Sequence, residues 1–145
     1  MKLLQVLIAS VLVAGLGVAA GCKGDSTGGQ APLIVAASSP IADVPVPAGF
    51  MLDAGKSWSN WNPNLKLRSV NHEYKGKDGM LAVVRFYKEQ LPAFKWSDPV
   101  LDQQGKKVTL KSGKTNEDLV ITVSEGILDT HINIKLDPAG NRPGK

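Results

Sequence analysis

The sequence holds a single cysteine, Cys22, and two histidines, His72 and His131. One cysteine excludes an intramolecular disulfide framework and any CxxC zinc site, and two separated histidines do not close a zinc site with it. Aromatics are few: three Trp, two Tyr and three Phe. The charge excess is small as well. There are 17 Lys+Arg against 13 Asp+Glu, and the first 21 residues carry one charge, Lys2, so the rest of the chain keeps a net charge of about +3. Nucleic-acid-binding domains concentrate a basic stripe that such a balance lacks, and nucleic acid is not expected as a partner. At 145 residues the chain has room for one small domain.

What is present begins with a leader. Met1-Lys2 is followed by 18 uncharged residues, Leu3–Ala20, then by Gly21-Cys22 and the polar Lys23-Gly24-Asp25-Ser26. This is the layout of a secretory signal peptide over residues 1–21. Ala19-Ala20-Gly21 directly before Cys22 resembles the lipobox of bacterial lipoproteins, with Ala19 standing where Leu is commonest. That resemblance implies acylation of Cys22, a membrane partner, and a lipid-anchored place in the bacterial cell envelope facing the periplasm. By the enteric sorting rule, Lys23 in place of an Asp points to the outer membrane. The apolar run would span about 27 Å as a helix, so an uncleaved anchor is one alternative. A soluble secreted protein with a free thiol is another. Gly15, Gly17 and the small residues at the end of the run favour cleavage.

Residues 22–42 are rich in Gly, Ser, Pro and Ala and read as a lipidated Cys followed by a flexible tether. Leu33-Ile34-Val35 is too apolar for an ideal linker, and docking on the domain is the other reading of that stretch. The folded domain is expected over residues 43–138, with 139–145 as a disordered tail. In Asp43-Val44-Pro45-Val46-Pro47-Ala48-Gly49-Phe50 two prolines hold an extended path and forbid a central strand. Phe50 and Leu52 are expected to dock it.

Leu65 and Leu67 alternate in one phase and Val70, His72 and Tyr74 in the other, which predicts a bulged strand over 65–74. Asp78 is the expected cap of a helix whose Met80, Val83, Val84, Tyr87, Leu91 and Phe94 share one face, opposite Ala82, Arg85 and Glu89. Pro92 limits the helix, and Trp96 marks the return to the sheet. Lys107–Lys111, Leu119–Ser124 and Thr130–Leu136 each alternate as strands, with turns at Gln104-Gly105, Ser112-Gly113-Lys114 and Glu125-Gly126. Their other face shows Thr109, Lys111, Thr122, Ser124, His131, Asn133 and Lys135. The expected fold is therefore α+β, a small two-layer domain with one helix on an antiparallel sheet of about four to five strands.

No nucleophile is placed for catalysis. Cys22 is consumed by acylation, no Gly-x-Ser-x-Gly elbow or phosphate-cradling loop occurs, and His72 and His131 read as strand residues. Glu117-Asp118, Asp98 and Asp102 read as turn residues rather than an acid/base pair. No enzyme, cofactor or metal is expected. Lys106-Lys107, Lys111 and Lys114 form a basic patch around one hairpin, usable by anionic headgroups and equally a charged edge that discourages strand-to-strand aggregation. Trp58, Asn60 and Trp61, in a loop-like Trp-Ser-Asn-Trp-Asn-Pro-Asn run, are the candidate ligand contacts, because indoles stack on sugar rings and amides bond hydroxyls. Core or lid tryptophans with turn asparagines are the plainer reading.

The lipobox-like leader, the Pro-x-Pro-x-Gly-Phe lead-in at 45–50, Tyr74-Lys75-Gly76, Phe86-Tyr87, Leu91-Pro92 and Trp96 together resemble a family of small uncharacterised bacterial envelope lipoproteins. The resemblance covers residues 43–138. It implies one helix plus a strand meander and brings no activity or functional residues. The expectation is a non-enzymatic, lipid-anchored module that binds an envelope protein or serves as an accessory, with a glycan or peptidoglycan module using Trp58 and Trp61 as the alternative.

Overall fold

The structure is a computed structural model that describes residues 31–140. The leader 1–21, the Cys22 lipidation site, the first part of the expected tether and residues 141–145 of the expected tail lie outside the described residues. Among the described residues no helix is long and apolar enough to cross a membrane.

Seven strands and one α-helix follow in the order β1 (Met51–Leu52), β2 (Trp58–Asn62), β3 (Leu67–Gly76), α1 (Met80–Ala93), β4 (Val100–Gln104), β5 (Lys107–Lys114), β6 (Glu117–Glu125) and β7 (Thr130–Pro138). All pairings are antiparallel, in the order β1-β3-β7-β6-β5-β4, and β2 lies beside β1 on the same edge of β3. Helix α1 leaves the end of β3, crosses under the sheet and delivers the chain to the far edge. From there β4 to β7 meander back to β3. The α+β class and the single helix agree with the sequence, but the sheet has seven strands rather than four to five.

The three additional strands are short or polar. β1 has two residues, β4 carries Asp102-Gln103-Gln104, and β2 is Trp-Ser-Asn-Trp-Asn. Pairing with an apolar neighbour overrides weak strand preference in such segments. β3 has no bulge: its pairing with β2 and β7 runs unbroken, Arg68, Val70, His72, Tyr74 and Gly76 share the helix-side face, and Leu67 simply lies on the other. Leu65 is exposed in the β2–β3 turn. Ser112-Gly113-Lys114 is not a turn either. It continues β5 against Asp118 and Glu117, and the reversal falls at Thr115-Asn116.

Inward residues of β5, β6 and β7, including Val108, Leu110, Leu119, Ile121, Val123, Ile132, Ile134 and Leu136, are buried under α1, which contributes Val83, Val84, Tyr87 and Leu91. Gly79, not Asp78, holds the N-cap, and no side chain caps it. Met80 and Phe94 are half-buried against the core. At the other end Lys95 takes a left-handed φ of 66° while the Trp96 amide bonds the Leu91 carbonyl, so the helix stops at Ala93, one residue after Pro92.

Phe86 is also buried, on a side of α1 that does not face the sheet. Residues 31–33 cover it, lying along Ala82, Arg85, Phe86 and Glu89. The chain from 33 to 50 is thus a strap rather than a tether: Val35 bridges Pro47, the Ala36 amide bonds Val46, the Ala48 amide bonds Ile34, and Ile41, Val44, Val46 and Phe50 are buried. Gly49 turns the strap at φ 88°, and the Phe50 ring then lies flat on Gly76 at the end of β3. A Cβ at Gly76 would sit 2.6 Å from the root of that ring.

Two substitutions test this packing. Gly76→Ala must displace Phe50 and is expected to lower stability by about 1–3 kcal/mol in urea unfolding. Tyr87→Phe removes a fully buried hydroxyl that has no hydrogen-bond partner among the described residues. It is expected to leave the urea midpoint unchanged or to add up to about 1 kcal/mol.

Candidate functional site

The candidate ligand residues lie on β2, and the alternation of a strand decides which of them act together. Trp58, Asn60 and Asn62 pair with Asn71, Ser69 and Leu67 on the open face, whereas Ser59 and Trp61 pair with Val70 and Arg68 on the helix side. Trp58 and Trp61 are both about half exposed, at 52% and 55%, yet they point to opposite faces. They do not form the single two-indole platform that a loop would allow. Trp58 and Asn60 instead join the polar open face, where Asn133 donates to the Asn71 side-chain carbonyl at 3.1 Å.

Trp61 belongs to a different setting, at the end of the sheet formed by the β2–β3 and β5–β6 turns. It lines a depression of about 430 Å³ together with Lys66, Arg68, Lys114, Asn116 and Glu117. Arg68 is the centre of this end. Its guanidinium donates to both Asp43 oxygens at 2.7 Å and to both Glu117 oxygens, and Lys114 donates to Asp43 as well. The Lys114 ammonium also stands 4.2 Å above the Trp96 ring, whose Nε1 donates to the Asp43 carbonyl. Strap, β3 and β5 therefore meet on the Asp43 carboxylate, β6 joins them through Arg68, and the segment after α1 joins through the Asp43 carbonyl.

Burial raises the Asp43 pKa, but hydrogen bonds from Arg68 and Lys114 and their charges outweigh it and hold the carboxyl at about 2. Hydrogen bonds to Glu117 first and then to Asp43 raise the Arg68 guanidinium further above its ordinary value. Arg68 was inconspicuous in the sequence. The signal that finds it is its phase, since it shares the inward set with Val70, His72 and Tyr74 and so requires partners.

Among the described residues the His72 ring is bonded to hydroxyls and to no carboxylate. Its Nε2 lies 2.8 Å from the Ser59 hydroxyl and its Nδ1 3.1 Å from the Tyr74 hydroxyl, a line of three groups from the β2 edge into the core. Burial pushes the histidine pKa down and the tyrosine pKa up to about 12. A neutral phenol behind the ring does not stabilise an imidazolium as a carboxylate does, so the line ties β2 to β3 rather than priming Ser59. His131 meets Asp129 at 2.9 Å, within the β6–β7 turn that the Gly126 amide closes on the Asp129 carbonyl. Among the described residues no group of three or more His, Cys, Asp or Glu is gathered to hold a metal ion. The basic patch expected around one hairpin is divided: Lys106 and Lys107 lie at one end of the sheet and Lys114, paired with Asp43, at the other.

The Asp43 carboxylate has a folded pKa below its ordinary 3.8, so its stabilisation is complete above pH 4 and disappears as the pH falls toward 2. Asp43→Asn is expected to cost about 1–2 kcal/mol near neutral pH and to flatten the stability profile over that acid interval, measured by urea unfolding at stepped pH. Compared with protein-family models, curated proteins and solved structures, the chain matches none.

Proposed function

We propose that this chain is a bacterial envelope lipoprotein, anchored through acylated Cys22 on the periplasmic side of the outer membrane, which acts without catalysis as a protein-binding or accessory module. The anchoring part rests on the Ala19-Ala20-Gly21-Cys22 sequence and its apolar leader. The binding part rests on one observation, the half-exposed Trp61 beside the clamped Arg68, Glu117 and Lys114 around an open depression. Tryptophan and arginine are the residue types that most often carry interface energy. Held rigid before association, they lose little entropy on binding.

A photo-crosslinking amino acid in place of Trp61 tests this in living cells. The expected result is one stoichiometric adduct with an envelope protein, reduced about tenfold in a Cys22→Ala chain that loses the high local concentration of the anchored form. Equal adducts from Trp61 and from the open-face Thr109 would overturn it.

The glycan reading keeps a narrower form. Trp58 and Asn60 share the open face with Ser69 and Asn71, an indole beside amides and a hydroxyl. If sugar is the ligand, Trp58→Ala alone removes the change in tryptophan emission on adding peptidoglycan fragments, and Trp61→Ala does not.

A further inference from the structure

The end of the sheet opposite Arg68 has the reverse character. Ile127 and Leu128, at the apex of the β6–β7 turn, are 99% and 80% exposed, and Met51 is exposed two strands from β7, across β3 and opposite Lys75. Two adjacent branched residues at the tip of a tight turn are unfavourable in water, and nothing in the turn itself requires them. The turn is held by its own bonds, Gly126 amide to Asp129 carbonyl and Asp129 to His131. A solid, projecting tip suits insertion into a soft apolar phase rather than reception of a partner side chain.

Its surroundings match the surface of such a phase. The Lys77 ammonium reaches the Leu128 carbonyl, and the Glu125 amide bonds the Lys106 carbonyl, so Lys77, Lys106 and Lys107 surround the tip. Of the neighbouring acids, Asp53 is paired with Lys75, and Asp129 is hydrogen-bonded to His131, whose ring offsets its charge only when protonated. Glu125, Asp78 and Asp129 offset the three lysines in number, so the tip carries no net charge with a neutral His131. The apolar tip therefore supplies most of the attraction, and the lysines beside it add contacts to anionic headgroups.

The position of the chain outside the structure agrees. Residues 31–33 lie along Ala82, Arg85, Phe86 and Glu89 of α1, and α1 starts at this same end, directly after β3. Nine chain steps separate Cys22 from residue 31, a length that reaches at most about 30 Å. An anchor at Cys22 thus keeps this end within reach of the bilayer.

We infer that the β6–β7 turn is a membrane-docking tip, with Ile127 and Leu128 entering the interfacial layer of an anionic leaflet and Lys77, Lys106 and Lys107 at headgroup level. This rests on the lipid-anchored reading and adds an orientation to it: a second contact that sets the sheet upright on the membrane and turns Trp61 away.

The test uses the full chain purified from membranes and reconstituted into vesicles of phosphatidylethanolamine with phosphatidylglycerol. An environment-sensitive fluorescent amino acid replaces Leu128 in one sample and Thr115, at the opposite end, in another. The expected result is an apolar emission at Leu128 and an aqueous one at Thr115, with the Leu128 signal weakened in purely zwitterionic vesicles. Aqueous emission at both positions overturns the inference. Ile127→Ser with Leu128→Ser, both fully solvated in the fold, is expected to keep the urea midpoint and to lower vesicle partitioning of an unacylated Cys22→Ser chain by about tenfold or more; unchanged partitioning also overturns it. The intact mass of the purified chain judges the anchor separately. An acylated chain with an aqueous tip refutes the tip alone, and an unacylated chain with an apolar tip refutes the anchor alone.

Discussion

A sheet with one apolar face must be covered over its whole width, and one helix is too narrow to do it. Strands stand about 4.8 Å apart and a helix is about 10 Å across, so α1 shields two or three of the ladders. It lies over β5 and β6. The β3 side is left to residues 33–50, which explains why Ile41, Val44, Val46 and Phe50 are buried although prolines exclude them from the sheet. The strap is a second covering layer made without regular secondary structure, and the rest of the molecule depends on its staying in place.

Its fastening divides into an apolar and a charged part. At one end Phe50 lies on Gly76, a contact that a glycine at the close of β3 makes possible. At the other, Asp43 is held by Arg68, Lys114 and, through its carbonyl, Trp96. The charged groups are about one-quarter to one-third exposed, so they keep part of their hydration while specifying one register among strap, β3 and β6.

The sequence discloses the parts of the fold that obey a period. The face of α1, the meander β5 to β7 and the polar open face all follow from alternation or helical spacing, because each side chain there sees one environment. It conceals the parts made by pairing alone. β2 has the composition of a loop and becomes a strand because β3 offers an unpaired edge, and this separates Trp58 from Trp61. Helical spacing places Ala82 on the solvent side and gives Phe86 no face, since nothing periodic announces that a strap will lie over them. Leu67 suggested a bulge only because an apolar residue on an open face looks out of phase. The charged cluster is legible in hindsight from Arg68 alone, while its partners Asp43, Lys114 and Glu117 come from distant positions that no spacing connects.

The strap also determines how the molecule responds to a pull. Residues 34–36 and 46–48 form a small antiparallel hairpin held by a few backbone bonds, with residues 31–33 preceding its outer arm. Tension applied at residue 31 acts on those bonds one at a time, as in opening a zip, and peels the outer arm at low force. Beyond it the load reaches Asp43, where several bonds and a stacked lysine share it at once. The first stretch therefore lengthens the lead without disturbing the sheet, a compliant spring ahead of a stiff mount.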